Sequence, residues 1–269
     1  LPALHVAAAG SLLEAKMKRE GFSFPVGRVE YCYMHPVRFD EFLLALGDKE
    51  SWSYLEKVEP RAGIPPASHT LLSSKYRTFL AVGGMPEAVA QYAAERSLLA
   101  LNQVYETLLT GYHDDVYKYA SSAKTPYIQH VLEHAPQFSG QAITYENFGD
   151  SRFRSREMRE AFDVLENAMV LRRVGGTPVL APPILKNARK APKLIFLDVG
   201  LVNYKTGVRE TVLQGGELDG MYQGRMAEQA VGQTLLALSE ERWLPLHYWY
   251  RDKPGATAEV DYILLLHNH

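Results

Sequence analysis

Twice in its first 50 residues the chain passes from an apolar run to helical spacing, and this alternation restricts the fold more than any other feature. "LHVAAAGSLLEAKMKREGF" switches at Ser11, a residue type that caps helix N-termini, and meets a stop at Gly21. "GRVEYCYMHPVRFDEFL" alternates Val29, Tyr31 and Tyr33 with Glu30 and Cys32. It is punctuated by Pro36 and opens an amphipathic helix at Asp40. Strand then helix, repeated, is the pattern of the closing units of an α/β domain with a parallel sheet. Cys32 sits within the second strand pattern and reads as core.

From Ser51 to Ala120 the pattern is helical. "SSKYRTFLAVGGMPEAVAQYAAE" breaks at Gly83-Gly84 and restarts at Pro86, whose missing N–H costs little in a first helical turn. "LLALNQVYETLLTGYHDDVYKYA" continues with apolar residues three and four apart, which predicts a helical lid or connector. Tyr76, Tyr92, Tyr105 and Tyr112 read as packing residues.

Residues 126–198 change character. Helices are predicted at Tyr127–His134, near Tyr145–Phe148 and from Arg156 onward, followed by "LRRVGG", "TPVLAP" and "KLIFLD". Three short helices closed by a hairpin suggest a winged helix-turn-helix. In the longest helix Met158, Phe162, Leu165 and Met169 share a face. Arg156 and Arg159 lie on another, behind Ser155 as the expected cap. Arg152, Arg154, Arg172 and Arg173 add to this charge. Between Arg152 and Lys193 there are ten Lys or Arg against four acids, in a chain of net charge -2. Such a block points to a phosphate-facing surface, with the helix N-terminus as a second attraction for an anion. The alternative is a solvated helix face, with Arg159 paired to Asp163 one turn on.

The tail supplies acids. In "GRMAEQAVGQTLLALSEERW" the residues Glu228, Val231, Leu235 and Leu238 are spaced 3, 4 and 3, so a carboxylate sits on the apolar stripe of a helix. There it needs a partner, a proton or a metal. "LHYWYRDKPGATAEVDYILLL" reads as two strands joined through Pro254 and Gly255. Glu259 and Asp261 project to one side of the second strand, with Cα atoms about 6.5–7 Å apart. One helix acid and strand acids together can make an oxygen-rich site for a hard cation such as Mg²⁺. A simple ion pair between Glu228 and Arg251 is the alternative.

Several classes find no support. No window approaches the roughly 18 to 20 uninterrupted apolar residues of a membrane helix. "LPALHVAAAG" lacks the basic leader and cleavage pattern of a signal peptide. A single cysteine excludes an internal disulfide and fits a reducing, cytoplasmic setting. The histidines lack paired zinc spacing, and no G-x-S-x-G elbow occurs.

Taken in order, "GRVEYCYMHPVRFDEFL", "GGMPEAV", "DVLENAMVLRRV", "KLIFLDVGL", "GRMAEQAV" and "YWYRDKPGATAEVDYI" resemble a family of prokaryotic AAA-type ATPases that carry a winged helix and a C-terminal PD-(D/E)XK nuclease-like domain. The resemblance implies a multidomain α/β chain. Residues 1–50 would form the end of a P-loop ATPase sheet, 51–120 a helical lid, 121–200 a winged helix, and 201–269 a restriction-endonuclease-like domain. It assigns nucleotide sensing to Ser11 and Arg28, although Arg28 could equally be a strand-end ion-pair residue. It assigns catalysis to Glu228, Glu259 and Asp261, with Mg²⁺ on Glu228 and Asp261. Such a core also needs an E-x-K after Asp261, and such an ATPase needs a G-x-x-x-x-G-K-[ST] loop for ATP/Mg²⁺. No E-x-K follows Asp261 in this sequence, and no Gly-Lys dipeptide occurs in it.

The expectation is therefore a part of an ATP-hydrolysing protein, itself catalytically incomplete, with DNA and other protein subunits as partners. The alternatives are a DNA-binding winged-helix module and an interaction platform with a degenerate nuclease fold.

Overall fold

The structure, a computed structural model, describes residues 5–7, 10, 30, 32–59, 61–119, 123–238, 245–253 and 255–264. The first expected helix with Ser11, most of the strand before it, and Arg28 at the start of the second expected strand lie outside these residues. Residues 32–38 form no strand, and Cys32 is exposed rather than core.

The helical half begins with α1 (Phe39–Ala45) and α2 (Lys49–Leu55), the latter capped by the Asp48 carboxylate, which accepts from Ser51 N at 3.2 Å. α3 (Pro66–Val82) ends at Gly83, whose φ of +71° is a backbone conformation that favours glycine. α4 (Pro86–Glu95) restarts on its proline, as the sequence predicts, and α5 (Asn102–Tyr119) follows.

Next come α6 (Thr125–His134), the two-residue strand β1 (Gln141–Ala142), a 3-10 turn at Phe148–Asp150 and α7 (Ser155–Asn167). The hairpin strands are β2 (Leu171–Thr177) and β3 (Lys193–Phe196). α8 (Val199–Lys205), α9 (Arg209–Gln214) and α10 (Gly220–Ala237) precede the tail strands β4 (Leu246–Tyr250) and β5 (Glu259–Leu264). Ser155 is the first residue of α7 rather than its cap. The Glu146 carboxylate fills that role, accepting from Ser155 N at 2.8 Å and Ser155 Oγ at 2.7 Å. The anion expected at this helix end is thus supplied by the chain itself.

The fold is mixed α/β around one five-stranded sheet in the order β1-β3-β2-β4-β5. All neighbours are antiparallel except β2 and β4, which run parallel with Gly176 beside Tyr248. Strands from either side of residue 200 therefore share a sheet. The main buried cluster extends from Phe42 to Ala230, and a smaller one (Val174, Ile195, Leu236, Leu246, Tyr248, Tyr250) lies between the sheet and α10.

Two junctions fix α10 and the loop after α3. On α10 the buried Gln229 pairs with the Phe196 backbone as a strand would, its Nε2 donating to Phe196 O and its Oε1 accepting from Phe196 N, both at 2.8 Å. Gln233 Oε1 accepts from Val199 N at 2.8 Å. Asp198, fully buried, accepts from Gly84 N at 2.6 Å, Leu201 N at 3.0 Å and Gln233 Nε2 at 3.1 Å. "VGGMP" and "DVGL" interlock here. A Cβ on Gly83 would lie 2.2 Å from Asp198 Oδ1, and one on Gly200 would lie 2.5 Å from Val82 O. The two glycine motifs are packing devices, and neither is a phosphate loop.

Candidate functional site

The acids of the tail meet on one ammonium. Lys193 Nζ lies 2.7 Å from Glu228 Oε2 on α10, 2.6 Å from Glu259 Oε1 and 2.8 Å from Asp261 Oδ1 on β5. Lys193 opens β3, and β3 and β5 are three strand spacings apart, about 14 Å in a flat sheet. A lysine and an aspartate cannot bridge that distance, so contact requires the sheet to curl around the α10 face. Glycines permit this. On β2 a Cβ at Gly176 would stand 2.6 Å from the Tyr248 ring, over which the Lys193 ammonium sits at 5.4 Å. On α10 a Cβ at Gly232 would meet Ile195 at 2.4 Å and the Tyr262 hydroxyl at 2.6 Å. That hydroxyl donates to Glu228 O at 2.7 Å and ties β5 to the helix.

The Lys193 side chain is 6% exposed, while Glu228, Glu259 and Asp261 are 24%, 37% and 56% exposed, so the cluster is dry at its centre and wet at its rim. Burial alone would lower the Lys193 pKa, but hydrogen bonds to Asp261, Glu228 and Glu259 outweigh it and hold the ammonium above its ordinary value. Glu228 is pushed up, first by burial and then by the neighbouring Asp261 and Glu259 charges, against the pull of Lys193. Three carboxylates around one ammonium carry an excess of negative charge.

That shift has a measurable sign. The folded chain holds the Glu228 proton more tightly than the unfolded chain, whose ordinary value is 4.5. The contribution of Glu228 to stability is therefore greatest below that value and declines as pH rises through the folded pKa. Glu228→Gln removes the decline. Melting temperatures from about pH 4 to about pH 7 should show the variant gaining on the wild type as pH rises; a constant difference would contradict the assignment.

Sequence reasoning located the three acids and missed Lys193. The partner of Glu228 is Lys193 rather than Arg251, the alternative that the sequence offered, and the signal was available in "APKLIFLD". An ammonium in an apolar strand needs an opposite charge as much as a carboxylate on an apolar helix stripe does. The carboxylate oxygens have the donor chemistry of a hard cation's ligands. The point on which they converge, however, holds Lys193 Nζ. Among the described residues no group of three or more His, Cys, Asp or Glu is disposed to hold a metal ion. In this arrangement the cation that Glu228 and Asp261 face is the Lys193 ammonium.

The arginines divide. Arg152, Arg154 and Arg156 are exposed at the start of α7, with the Arg156 side chain 86% accessible and only 3.4 Å from Glu160. Arg159 is not paired with Asp163 and instead covers the Tyr145 ring at 4.8 Å. Arg172 and Arg173 are committed internally and are not open to a phosphate. Arg172 meets Glu166 at 3.0 Å, and Arg173 meets both Glu166 and Asp163 at 2.5 Å and the Tyr145 hydroxyl at 3.1 Å. The turn from α7 into β2 brings Glu166 under both guanidinium groups. Ser11 and Arg28 remain outside the described residues.

Fold and site together define a mixed α/β chain whose hairpin strand and acidic tail are joined by one lysine. The chain belongs to the family described as Domain of unknown function (DUF8612), whose model matches residues 73–212 of the 269. Lys193 falls inside the matched segment, and Glu228, Glu259 and Asp261 fall beyond it. No curated protein and no solved structure matches the chain. Among the described residues no helix is long and apolar enough to cross a membrane.

Proposed function

We propose that this chain is a nucleic-acid-binding module of a larger cytoplasmic, ATP-driven protein, with DNA as the partner class. Support for this reading comes from the order α6, β1, 3-10 turn, α7, β2–β3 hairpin, which a winged helix-turn-helix would share, and from the packing of α7 on β2. The observation that carries the reading is the exposed set Arg152, Arg154 and Arg156 at the start of α7. Its charge is only loosely answered by Glu160. The tail keeps the nuclease-like acids and braces them with Lys193. ATP/Mg²⁺ binding and contact with other subunits are proposed for the whole protein on the resemblance alone.

The test is fluorescence anisotropy with a labelled DNA duplex. The chain should bind at low salt, with a log-log salt slope of about -0.9 per phosphate contacted. Changing Arg152, Arg154 and Arg156 to Glu together should weaken binding and make the slope shallower. Absence of duplex binding at low salt would refute the reading. A second reading, phosphodiester cleavage at the tail, is favoured by the meeting of three carboxylates with a lysine. It requires duplex cleavage that is lost in Asp261→Asn.

A further inference from the structure

Between Asn167 and Asp198 the sequence contains no Asp or Glu. Three of its six cations, Arg172, Arg173 and Lys193, are answered by acids from elsewhere. The other three, Lys186, Arg189 and Lys190, lie on the loop joining β2 to β3 and are exposed. Among the described residues none of these three is within ion-pair distance of a carboxylate. The same loop exposes Leu180 at 63% and Leu185 at 69%.

The loop is fastened to the tail rather than left free. Trp249 Nε1 donates to Pro178 O at 3.0 Å, and Tyr248 Oη donates to Ala191 O at 2.5 Å. Asn187 bonds through its backbone N–H to Gly176 O and through Nδ2 to Tyr250 Oη, each at 2.8 Å. Asn187 in turn accepts from Arg189 N at 3.0 Å and Lys190 N at 3.1 Å, and the Lys190 ammonium sits 4.4 Å from the Tyr250 ring centroid. Three consecutive β4 aromatics thus hold both ends of a loop whose cations have no internal acid to serve. Holding them in place beforehand lowers the ordering cost of engaging a partner.

We infer that the β2–β3 loop is a phosphate-docking surface for double-stranded nucleic acid, with Lys186, Arg189 and Lys190 as the contacting cations. The inference deepens the nucleic-acid reading and rests on it. It replaces Arg172 and Arg173, which the fold consumes, with three cations the composition did not single out. Fixed cations on a turn suit the fixed spacing of duplex phosphates, and the exposed leucines suit the apolar edges of its sugars.

The test uses the whole chain, a fluorescein-labelled duplex of about 20 bp, and salt from about 50 to about 200 mM. Two variants are compared with the wild type: Lys186→Ala/Arg189→Ala/Lys190→Ala, and Lys186→Glu/Arg189→Glu, which leaves the Lys190–Tyr250 contact in place. Both should melt as the wild type does and bind at least about tenfold more weakly, and the triple variant should make the salt slope shallower by about 2 to 3 units. If the wild type and both variants bind the duplex equally, the loop assignment fails and the α7 arginines stand. If the wild type binds no duplex at low salt, both readings fail. Capture by vesicles of phosphatidylserine and phosphatidylcholine without duplex binding would overturn the inference in favour of a membrane surface.

Discussion

Replacing Lys193 with methionine is expected to destabilise the folded chain by about 3 kcal/mol. That is the lower end of the cost of breaking a buried ion pair by removing one partner. The lower end applies because Asp261 is 56% and Glu259 37% exposed, and water screens what remains of their repulsion. Methionine fills nearly the same volume beside Tyr248, so the loss is electrostatic rather than a cavity. Denaturant midpoints check the magnitude. Limited proteolysis should show β5 released before the helical half. Adding Glu228→Gln and Asp261→Asn to Lys193→Met should restore most of the loss, because the like charges then no longer face one another.

Asp198→Asn should cost a similar amount, about 2–4 kcal/mol, by a different route. Both Asp198 oxygens accept hydrogen bonds, Oδ1 from Leu201 N and Oδ2 from Gly84 N and Gln233 Nε2. An amide turns one of those acceptors into a donor, which then faces a donor in a fully buried site. Burial pushes the Asp198 carboxyl up, against its backbone and Gln233 hydrogen bonds. The mismatch also reaches beyond one residue, since Asp198 joins the loop after α3, the start of α8 and the buried face of α10. Equilibrium unfolding should show a lower midpoint with an unchanged slope, and a variant as stable as the wild type would remove Asp198 from this role.

What could be read from the sequence follows from the range of the interactions. The stop at Gly83 and the restart at Pro86 are local backbone chemistry, and the structure has both. Period-two spacing put Glu259 and Asp261 on one side of a strand, and both reach the same ammonium. Helical spacing set Glu228 on an apolar stripe and so required a partner. The identity of that partner was not legible. Lys193 lies 35 residues upstream, and it reaches the tail only because the sheet curls around α10 and glycines at 176 and 232 make room. Counting charge in one stretch overrated Arg172 and Arg173, since a count does not show that Glu166 swings under them at the turn into β2. The fixed loop cations were hidden for the opposite reason, because their anchors are β4 aromatics roughly 60 residues downstream, beyond any local pattern.

A lysine from the hairpin strand balances the acids of the tail. A double-mutant cycle on Lys193→Met and Glu228→Gln, read by equilibrium unfolding, measures it directly. The expected coupling is about 1–3 kcal/mol, the size found for groups in direct contact within one network. Additive effects, with a coupling indistinguishable from zero, would show that the two groups do not sense each other and would contradict the account.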